Sequence, residues 1–366
     1  YMIVLKNLEV YSPSYLGKKD ILISNKIESI TPEAICEISG FMDLDEYIAI
    51  PGLIDIHVHI TGGGGEGGFE YRTFPLSHEE IKSSGITTLV GVLGTDGITR
   101  NVENLLSHAK YLKRNNINAY ILTGSYRIPP ITLTGDVEKD IIFIEEILGL
   151  KIAISDHRSS YPSRDLLLDY VTRARRGGIL SGKPGYINVH LGNGKDMFNP
   201  ILDIIENTDI PAEQFLPTHV DRNENLLKES LNFLKLGGWI DITAEYDGKI
   251  PKTIETLKFL INNNADLNRI TISSDGNGSK PLFDENGRFL KMDVASPKVL
   301  YEILRYAWYN DKEMFLKLLK MVTENPGNYL KIKRGKIDIG YYADLLILDN
   351  DFNIKYYISN GVIYKI

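Results

Sequence analysis

The 366-residue chain holds one cysteine, Cys36, so no disulfide can form within it, and a reducing compartment, the cytoplasm, is the expected location. No apolar stretch approaches the roughly 20 residues that a membrane-spanning helix needs, and no charged-then-apolar leader opens the sequence. Runs of lysine or arginine are also missing. With 41 basic against 48 acidic side chains the net charge is -7, which argues against nucleic acid and anionic membranes as partners. Internal repeats and low-complexity tracts are absent. Asn277-Gly-Ser matches a glycosylation acceptor, but without a secretory leader it reads as coincidence. Tyr1 ahead of Met2 reads as an added residue. What is present is globular in character: 43% hydrophobic and 24% charged residues can bury a large core in one big domain plus a small one.

Between residues 51 and 331 apolar runs alternate with amphipathic stretches, the pattern that builds parallel sheet. Eight runs read as strands: 53–59, 87–93, 118–124, 149–155, 185–191, 214–219, 238–244 and 269–274. Helical spacing covers Asn101–Arg114, Val137–Leu148, Arg164–Arg175, Glu224–Leu236 and Lys252–Asn262, then Ser296–Asn310 and Lys312–Thr323. Eight such units suit an α/β fold of the TIM type, a (β/α)8 barrel with its active site at the C-terminal strand ends. A doubly wound sheet is the alternative, but it gathers ligands at one switch point. Residues 1–50 and 332–366 carry short alternating runs, such as Asp20-Ile-Leu-Ile-Ser and Ala343-Asp-Leu-Leu-Ile-Leu-Asp. Neither end makes a complete sheet alone, so the expectation is one small β-sandwich domain built from both termini.

His57-Val58-His59 closes the apolar run that begins at Tyr47. Side chains alternate along a strand, so these two imidazoles share a face and can chelate one metal ion. His190 ends Gly185-Tyr-Ile-Asn-Val-His, His219 ends Phe215-Leu-Pro-Thr-His, and Asp275 ends Arg269-Ile-Thr-Ile-Ser-Ser-Asp. Four histidines and an acid at strand ends point to a metal-dependent hydrolase. Two divalent cations would want an anionic bridge as well. Lys151 lies in the fourth strand, where a buried ammonium is costly without a partner. Carbamylation by carbon dioxide would turn it into such a bridge; the alternative is a lysine snorkelling to the barrel's lower rim.

This order of His-x-His, strand-four lysine, two strand-end histidines and a final aspartate resembles the amidohydrolase superfamily. Longer strings resemble its isoaspartyl dipeptidase family: Gly62-Gly-Gly-Gly-Glu66, Gly94-Thr-Asp, Leu122-Thr-Gly-Ser-Tyr126, Ser155-Asp-His-Arg158, Pro217-Thr-His-Val-Asp-Arg222 and Ser274-Asp-Gly-Asn-Gly-Ser279. The resemblance runs from residue 2 to 366. It implies two zinc ions, His57 and His59 on one and His190 and His219 on the other, bridged by carbamylated Lys151. It further implies that Asp275 binds the first metal and acts as general base. Gly64, Gly65, Glu66, Thr95, Tyr126, Arg158, Arg222 and Ser279 would line the substrate site. A homo-oligomer, an octamer, is also implied.

The chemistry read from the residues agrees. Two metals would lower the pKa of a bridging water and polarise the carbonyl under attack. Asp275 could take that water's proton and pass it to the leaving nitrogen, and Tyr126 could donate to the developing oxyanion, although it also reads as a buried structural tyrosine. A β-aspartyl dipeptide carries one ammonium and two free carboxylates. Glu66, Arg158 and Arg222 supply one acid and two guanidinium forks, unless these loop charges are simply solvated. The glycine run 62–65 lacks the Lys-Ser/Thr of a phosphate cradle and suits a loop offering N–H groups to a carboxylate. His78 and His108 read as surface or capping residues, His157 as a residue orienting a neighbour, and Cys36 as packing. Two other readings stay open: the same machinery acting on another amide, such as a cyclic imide or N-acyl amino acid, and a metal-free relative kept for assembly.

Overall fold

A computed structural model describes residues 2–32, 40–286 and 288–366. Tyr1 and Cys36, with its expected packing role, lie outside the described residues. The N-terminal part forms β1 (Ile3–Tyr11), β2 (Tyr15–Ile23), β3 (Ile27–Thr31), β4 (Phe41–Asp43) and β5 (Ile48–Pro51). The middle follows as β6 (Leu53–Val58), α1 (His78–Ser83), β7 (Ile86–Gly91), α2 (Val102–Arg114), β8 (Asn118–Gly124), α3 (Val137–Phe143) and β9 (Ile147–Ile154). Then come α4 (Arg164–Ser181), β10 (Tyr186–Leu191), α5 (Asn199–Asn207), β11 (Phe215–Thr218), α6 (Glu224–Lys235), β12 (Ile240–Thr243), α7 (Lys252–Asn262) and β13 (Ile270–Ser273). A hairpin, β14 (Ser279–Phe283) and β15 (Phe289–Val294), precedes α8 (Val299–Asn310), α9 (Lys312–Met321) and α10 (Glu324–Tyr329). The chain ends in β16 (Leu345–Leu348), β17 (Ile354–Ser359) and β18 (Val362–Lys365).

Strands β6 to β13 form one eight-stranded sheet in sequence order, and each pair is parallel. Val58 bridges Gly276 in parallel, and the His59 N–H donates to the Gly276 carbonyl at 2.9 Å, so the last strand's end returns to the first. The architecture is a (β/α)8 barrel with a small β-sandwich from both termini. Every residue of β6 to β13 is buried apart from Tyr120, as expected for strands sandwiched between a filled interior and a ring of helices. Polar caps start the helices at predicted places: Asn101, Ser163 and Asn223 accept from backbone N–H groups of α2, α4 and α6. Ile54, Ile56, Val90, Val92, Leu122, Leu148, Tyr186 and Leu216 cluster with Tyr329 and Leu330. This cluster draws on six strands and on none of α1–α9, so it fills the barrel from below and leaves the C-terminal mouth for polar groups.

The terminal strands pair in the order β18-β17-β16-β5-β1-β2-β3, with β4 on β1. Leu5, Leu8, Ile21 and Ile23 pack with Leu345, Ile347 and Ile358, so the sheet folds over one shared core that neither terminus could close alone.

Two expectations need correction, and one element was not expected. The helix read over Val137–Leu148 stops at Phe143, and Ile147 and Leu148 belong to β9. The run Ile147–Ile154 is buried at every position, and that burial outweighs the helical spacing leading into it. His108 is not a free surface residue, because its Nε2 lies 2.9 Å from the Leu76 carbonyl in a half-buried position on α2. The hairpin β14–β15, placed directly over the mouth, had no expected counterpart.

Candidate metal centre and substrate cleft

Each expected ligand leaves its strand at the same end of the barrel. His57 lies in β6 and His59 just after it, His190 near the end of β10, His219 one residue past β11, and Asp275 two past β13. His219 and Asp275 adopt left-handed backbone, with φ of 63° and 50°. Such conformations are costly for non-glycine residues and collect where a side chain must be aimed.

Nε2 of His59 and of His57 lie 3.1 and 3.6 Å from Asp275 Oδ1. Ligand atoms of these three residues fall within 4.8 Å of one another. The His57 ring is 5.2 Å from that of His219, which is 4.8 Å from His190. Lys151 rises from β9 into this group, fully buried, with Nζ 2.9 Å from Asn188 Oδ1 and 3.3 Å from His57 Nε2. Snorkelling to the rim is thereby excluded, and neither hydrogen-bond partner is a carboxylate.

The protonation states suit metal binding. Burial holds His57 and His219 well below the ordinary imidazole value and brings His190 to about 3, so these rings are neutral with lone pairs free. Burial alone would raise the Asp275 carboxyl; the His59 hydrogen bond, with the nearby Lys151 ammonium adding to it, outweighs burial and holds the group anionic. Lys151 falls to about 7 through burial, against the opposing pull of Asp275. The Nδ1 atoms of His57 and His59 are buried without a hydrogen-bond partner. His219 Nδ1 is 2.7 Å from Thr243 Oγ1, which leaves its Nε2 as the nitrogen for a ligand. Imidazoles, one carboxylate and a buried lysine without a hydrogen-bonded carboxylate, gathered in one pocket, fit divalent metal ions.

Above them opens a cleft of about 280 Å³. His59, Gly64, Thr95, Tyr126, Arg158, His190, His219, Arg222, Asp275 and Ser279 all line it. Of the other expected residues, His57 and Lys151 are buried beneath the cleft, and Gly65 and Glu66 are half-buried beside Gly64 in the same loop. Glu66 Oε1 accepts from Thr95 Oγ1 at 2.9 Å, Ser279 Oγ at 3.2 Å and Arg158 Nη1 at 3.2 Å, while Oε2 is buried with no partner. The Gly65 N–H donates to the Tyr71 carbonyl at 3.3 Å, so it is committed within its own loop. Arg222 makes no ion pair among the described residues. Tyr126 places its hydroxyl 2.7 Å from His190 Nδ1, and burial pushes its phenol up, keeping it protonated. His157 is exposed, its Nδ1 3.7 Å from Asp156 Oδ1.

Several site residues escaped sequence reading. Asn188 stands two places before His190 on the same strand, and that spacing could have flagged it. Asp156 lies inside the string Ser155-Asp-His-Arg158, yet nothing in a lone acid beside an arginine separates it from a surface pair. Arg100 is buried and donates from Nε to Thr61 O at 3.1 Å and from Nη2 to Thr73 O at 2.7 Å, which clamps both stems of the loop bearing Glu66. Its signal was weak because it lies seven positions beyond the end of the strand-two run.

A barrel whose mouth gathers imidazoles, a carboxylate and a buried lysine defines a metal-dependent hydrolase of amides. The amidohydrolase family profile matches residues 214–364. The solved β-aspartyl dipeptidase of the thermophilic, keratin-degrading Fervidobacterium islandicum AW-1, in complex with a β-Asp-Leu dipeptide, is 42% identical with a TM-score of 0.95, covering 100% of this chain and 96% of that one. Another structure of that organism's enzyme gives 40% identity, a TM-score of 0.91 and coverage of 100% and 97%. The dihydroorotase of Lactobacillus leichmannii is 31% identical over 146 residues, 39% of this chain and 33% of that protein, so the chain matches about a third of that relative's length. The chain belongs to the amidohydrolase family, within its β-aspartyl dipeptidase branch, as its motifs led us to expect.

Proposed function

We propose that the protein is a dinuclear zinc peptidase that hydrolyses the isopeptide bond of β-aspartyl dipeptides. The observation that carries this reading is Lys151: a fully buried lysine amid neutral imidazoles, with no carboxylate hydrogen-bonded to it. Attack of its neutral amine on carbon dioxide forms an N–C bond, releases one proton and yields a carbamate that would hold both metals. His57, His59 and Asp275 would complete one metal's ligands, and His190 and His219 the other's.

When bound, the zinc pair supplies an acidified water as nucleophile and polarises the scissile carbonyl. Asp275, anionic in its buried position, accepts that water's proton and returns it to the departing amine. Tyr126 stays protonated and donates to the oxyanion as it develops. Glu66, Gly64, Thr95, Arg158, Arg222 and Ser279 bind and orient the dipeptide, while Gly65, whose N–H is held by the Tyr71 carbonyl, shapes the loop that carries Glu66. Glu66 and Arg158 share a single 3.2 Å contact. A zwitterionic substrate can replace that contact pairwise, its ammonium going to Glu66 Oε2 and a carboxylate to Arg158. Arg222, unpaired and exposed on the cleft, is open to the second carboxylate. We place the enzyme in the cytoplasm as a homo-oligomer, in keeping with its lone cysteine and its family resemblance.

Purified, metal-analysed protein should cleave β-Asp-Leu and leave α-Asp-Leu intact. Equal rates on both, or activity undiminished after chelation and dialysis, would overturn the reading.

A further inference from the structure

Asp156 lies two residues past β9 and is buried, only 4% exposed. Its Oδ2 lies 2.9 Å from His190 Nε2 and 2.8 Å from Arg158 Nη2, while its Oδ1 accepts from Arg158 Nε at 2.9 Å and from the Arg158 backbone N–H at 2.9 Å. One carboxylate therefore holds a candidate metal ligand and a candidate substrate-binding arginine at once. It takes the proton-bearing nitrogen of His190 and so leaves Nδ1 as the lone-pair atom, which in the metal-free protein faces the Tyr126 hydroxyl at 2.7 Å. It also occupies the Nε–Nη2 edge of Arg158, which leaves the Nη1 side directed at Glu66. The backbone around it is built to close tolerance. A Cβ added at Gly192 would sit 2.5 Å from Asp156 Cβ and 2.4 Å from Ser155 O, and the Gly194 N–H donates to Ser155 O at 2.6 Å. Only glycine at 192 lets the end of β10 press against this acid.

We propose that Asp156 is a positioning residue that fixes His190 and Arg158 from a single carboxylate, so that retention of the second metal and grip on the substrate carboxylate depend on one side chain. The inference rests on the proposed function for its substrate half and on the donor set alone for its metal half. A carboxylate behind a ligating histidine sets the ring's tautomer and direction, and its loss typically weakens metal binding about 10–100-fold. An amide in its place offers one acceptor oxygen where His190 and Arg158 together need two.

The test is Asp156→Asn, with Arg158→Met as control. Metal-free protein is titrated with Zn2+ against a chromophoric chelator, and KM and kcat are measured on β-Asp-Leu. The expected result for Asp156→Asn is an unchanged first zinc equivalent, a second weakened about 10–100-fold, and a KM raised at least about tenfold when assayed at saturating zinc. Arg158→Met should raise KM and leave both zinc equivalents as in wild type. Gly192→Ala, which crowds the acid without discharging it, should shift both readouts the same way by a smaller factor and serves if Asp156→Asn fails to fold. Wild-type affinity for the second zinc in whichever variant folds overturns the proposal, as does a change in only one of the two readouts. The zinc titration uses no substrate. A wild type inactive on β-Asp-Leu would therefore refute the proposed function, while the second zinc equivalent would still decide for or against Asp156.

Discussion

Lys151 Nζ stands 3.3 Å from His57 Nε2, cation-bearing nitrogen against imidazole, with Asn188 Oδ1 as its other partner at 2.9 Å. A cationic lysine is a poor neighbour for neutral imidazoles in a dry pocket, and burial accordingly lowers it to about 7. Only the neutral amine attacks carbon dioxide. At fixed dissolved carbon dioxide, the metal-free protein should take up label from 13CO2 faster as pH rises through about 7, and about tenfold more slowly per unit below it. A rate that is flat from about pH 6 to 8 would remove this chemistry. The sign for stability follows from the same shift. The unfolded lysine, at about 10.4, binds more protons than the folded one between there and about 7, so the metal-free protein gains stability as pH rises through that window. Lys151→Met should therefore raise the melting temperature of metal-free protein at neutral pH and abolish retention of two metals, as read by differential scanning fluorimetry and elemental analysis.

Asp275→Asn should lower turnover by about 10²–10⁴-fold or more, since proton transfer contributes that much and a metal contact weakens as well. The residue sits at the mouth in left-handed backbone, outside the apolar clusters, and asparagine tolerates that conformation. The melting temperature should accordingly stay within a few degrees of wild type. A variant keeping more than about a tenth of wild-type turnover would take Asp275 out of the mechanism.

Arg100 offers a test of the loop that carries Glu66. Its guanidinium donates to the carbonyls of Thr61 and Thr73, and Gly63 and Thr73 pair between the same stems. Arg100→Met keeps the aliphatic bulk but leaves the buried Thr61 carbonyl unpaired, at a cost of about 1–3 kcal/mol, and releases the half-buried Thr73 carbonyl as well. We expect KM for β-Asp-Leu to rise about tenfold or more, with zinc content unchanged. Steady-state kinetics paired with elemental analysis checks this, and a loss of zinc instead would place Arg100 in support of the metal centre.

How much of this was legible beforehand depends on what each residue has to signal. The barrel strands announce themselves because runs such as Gly149–Ile154 are apolar at every position but Lys151, a pattern that burial on both faces favours. The candidate metal ligands stood out because His57, His190, His219 and Asp275 recur at strand ends, a pattern a single sequence preserves. Hairpin β14–β15 was not, because Lys280, Lys291 and Asp293 break any apolar alternation and its strands are largely exposed. Asp156 and Arg100 were invisible for a different reason. Their roles lie in contacts with residues 34 and 39 positions away, and no local pattern encodes such a distance. The loop position of Glu66 was read from motif resemblance, but its burial behind Thr95, Arg158 and Ser279 could come only from the fold.

The proposed specificity rests on Glu66. Its Oε1 already accepts from three donors, whereas Oε2 is buried and empty-handed. A buried carboxylate oxygen without a partner is costly, and the substrate's free α-ammonium is the donor that would satisfy it. A normal α-linked dipeptide sets its ammonium and carboxylates differently about the scissile bond, so Glu66, Arg158 and Arg222 could not all pair at once. An unpaired buried charge commonly costs several kcal/mol, enough for selectivity of about a thousandfold. Glu66→Gln should therefore lower kcat/KM for β-Asp-Leu by about 10²-fold or more while both zinc equivalents stay bound. N-acetyl-β-Asp-Leu, which lacks the ammonium, should be a poor substrate for wild type and lose little further in the variant. The double comparison matters because a merely structural Glu66 would depress both substrates alike. Equal losses on the free and acetylated dipeptides, or wild-type rates that ignore acetylation, would assign the ammonium to another group and leave a broader amide hydrolase as the better description.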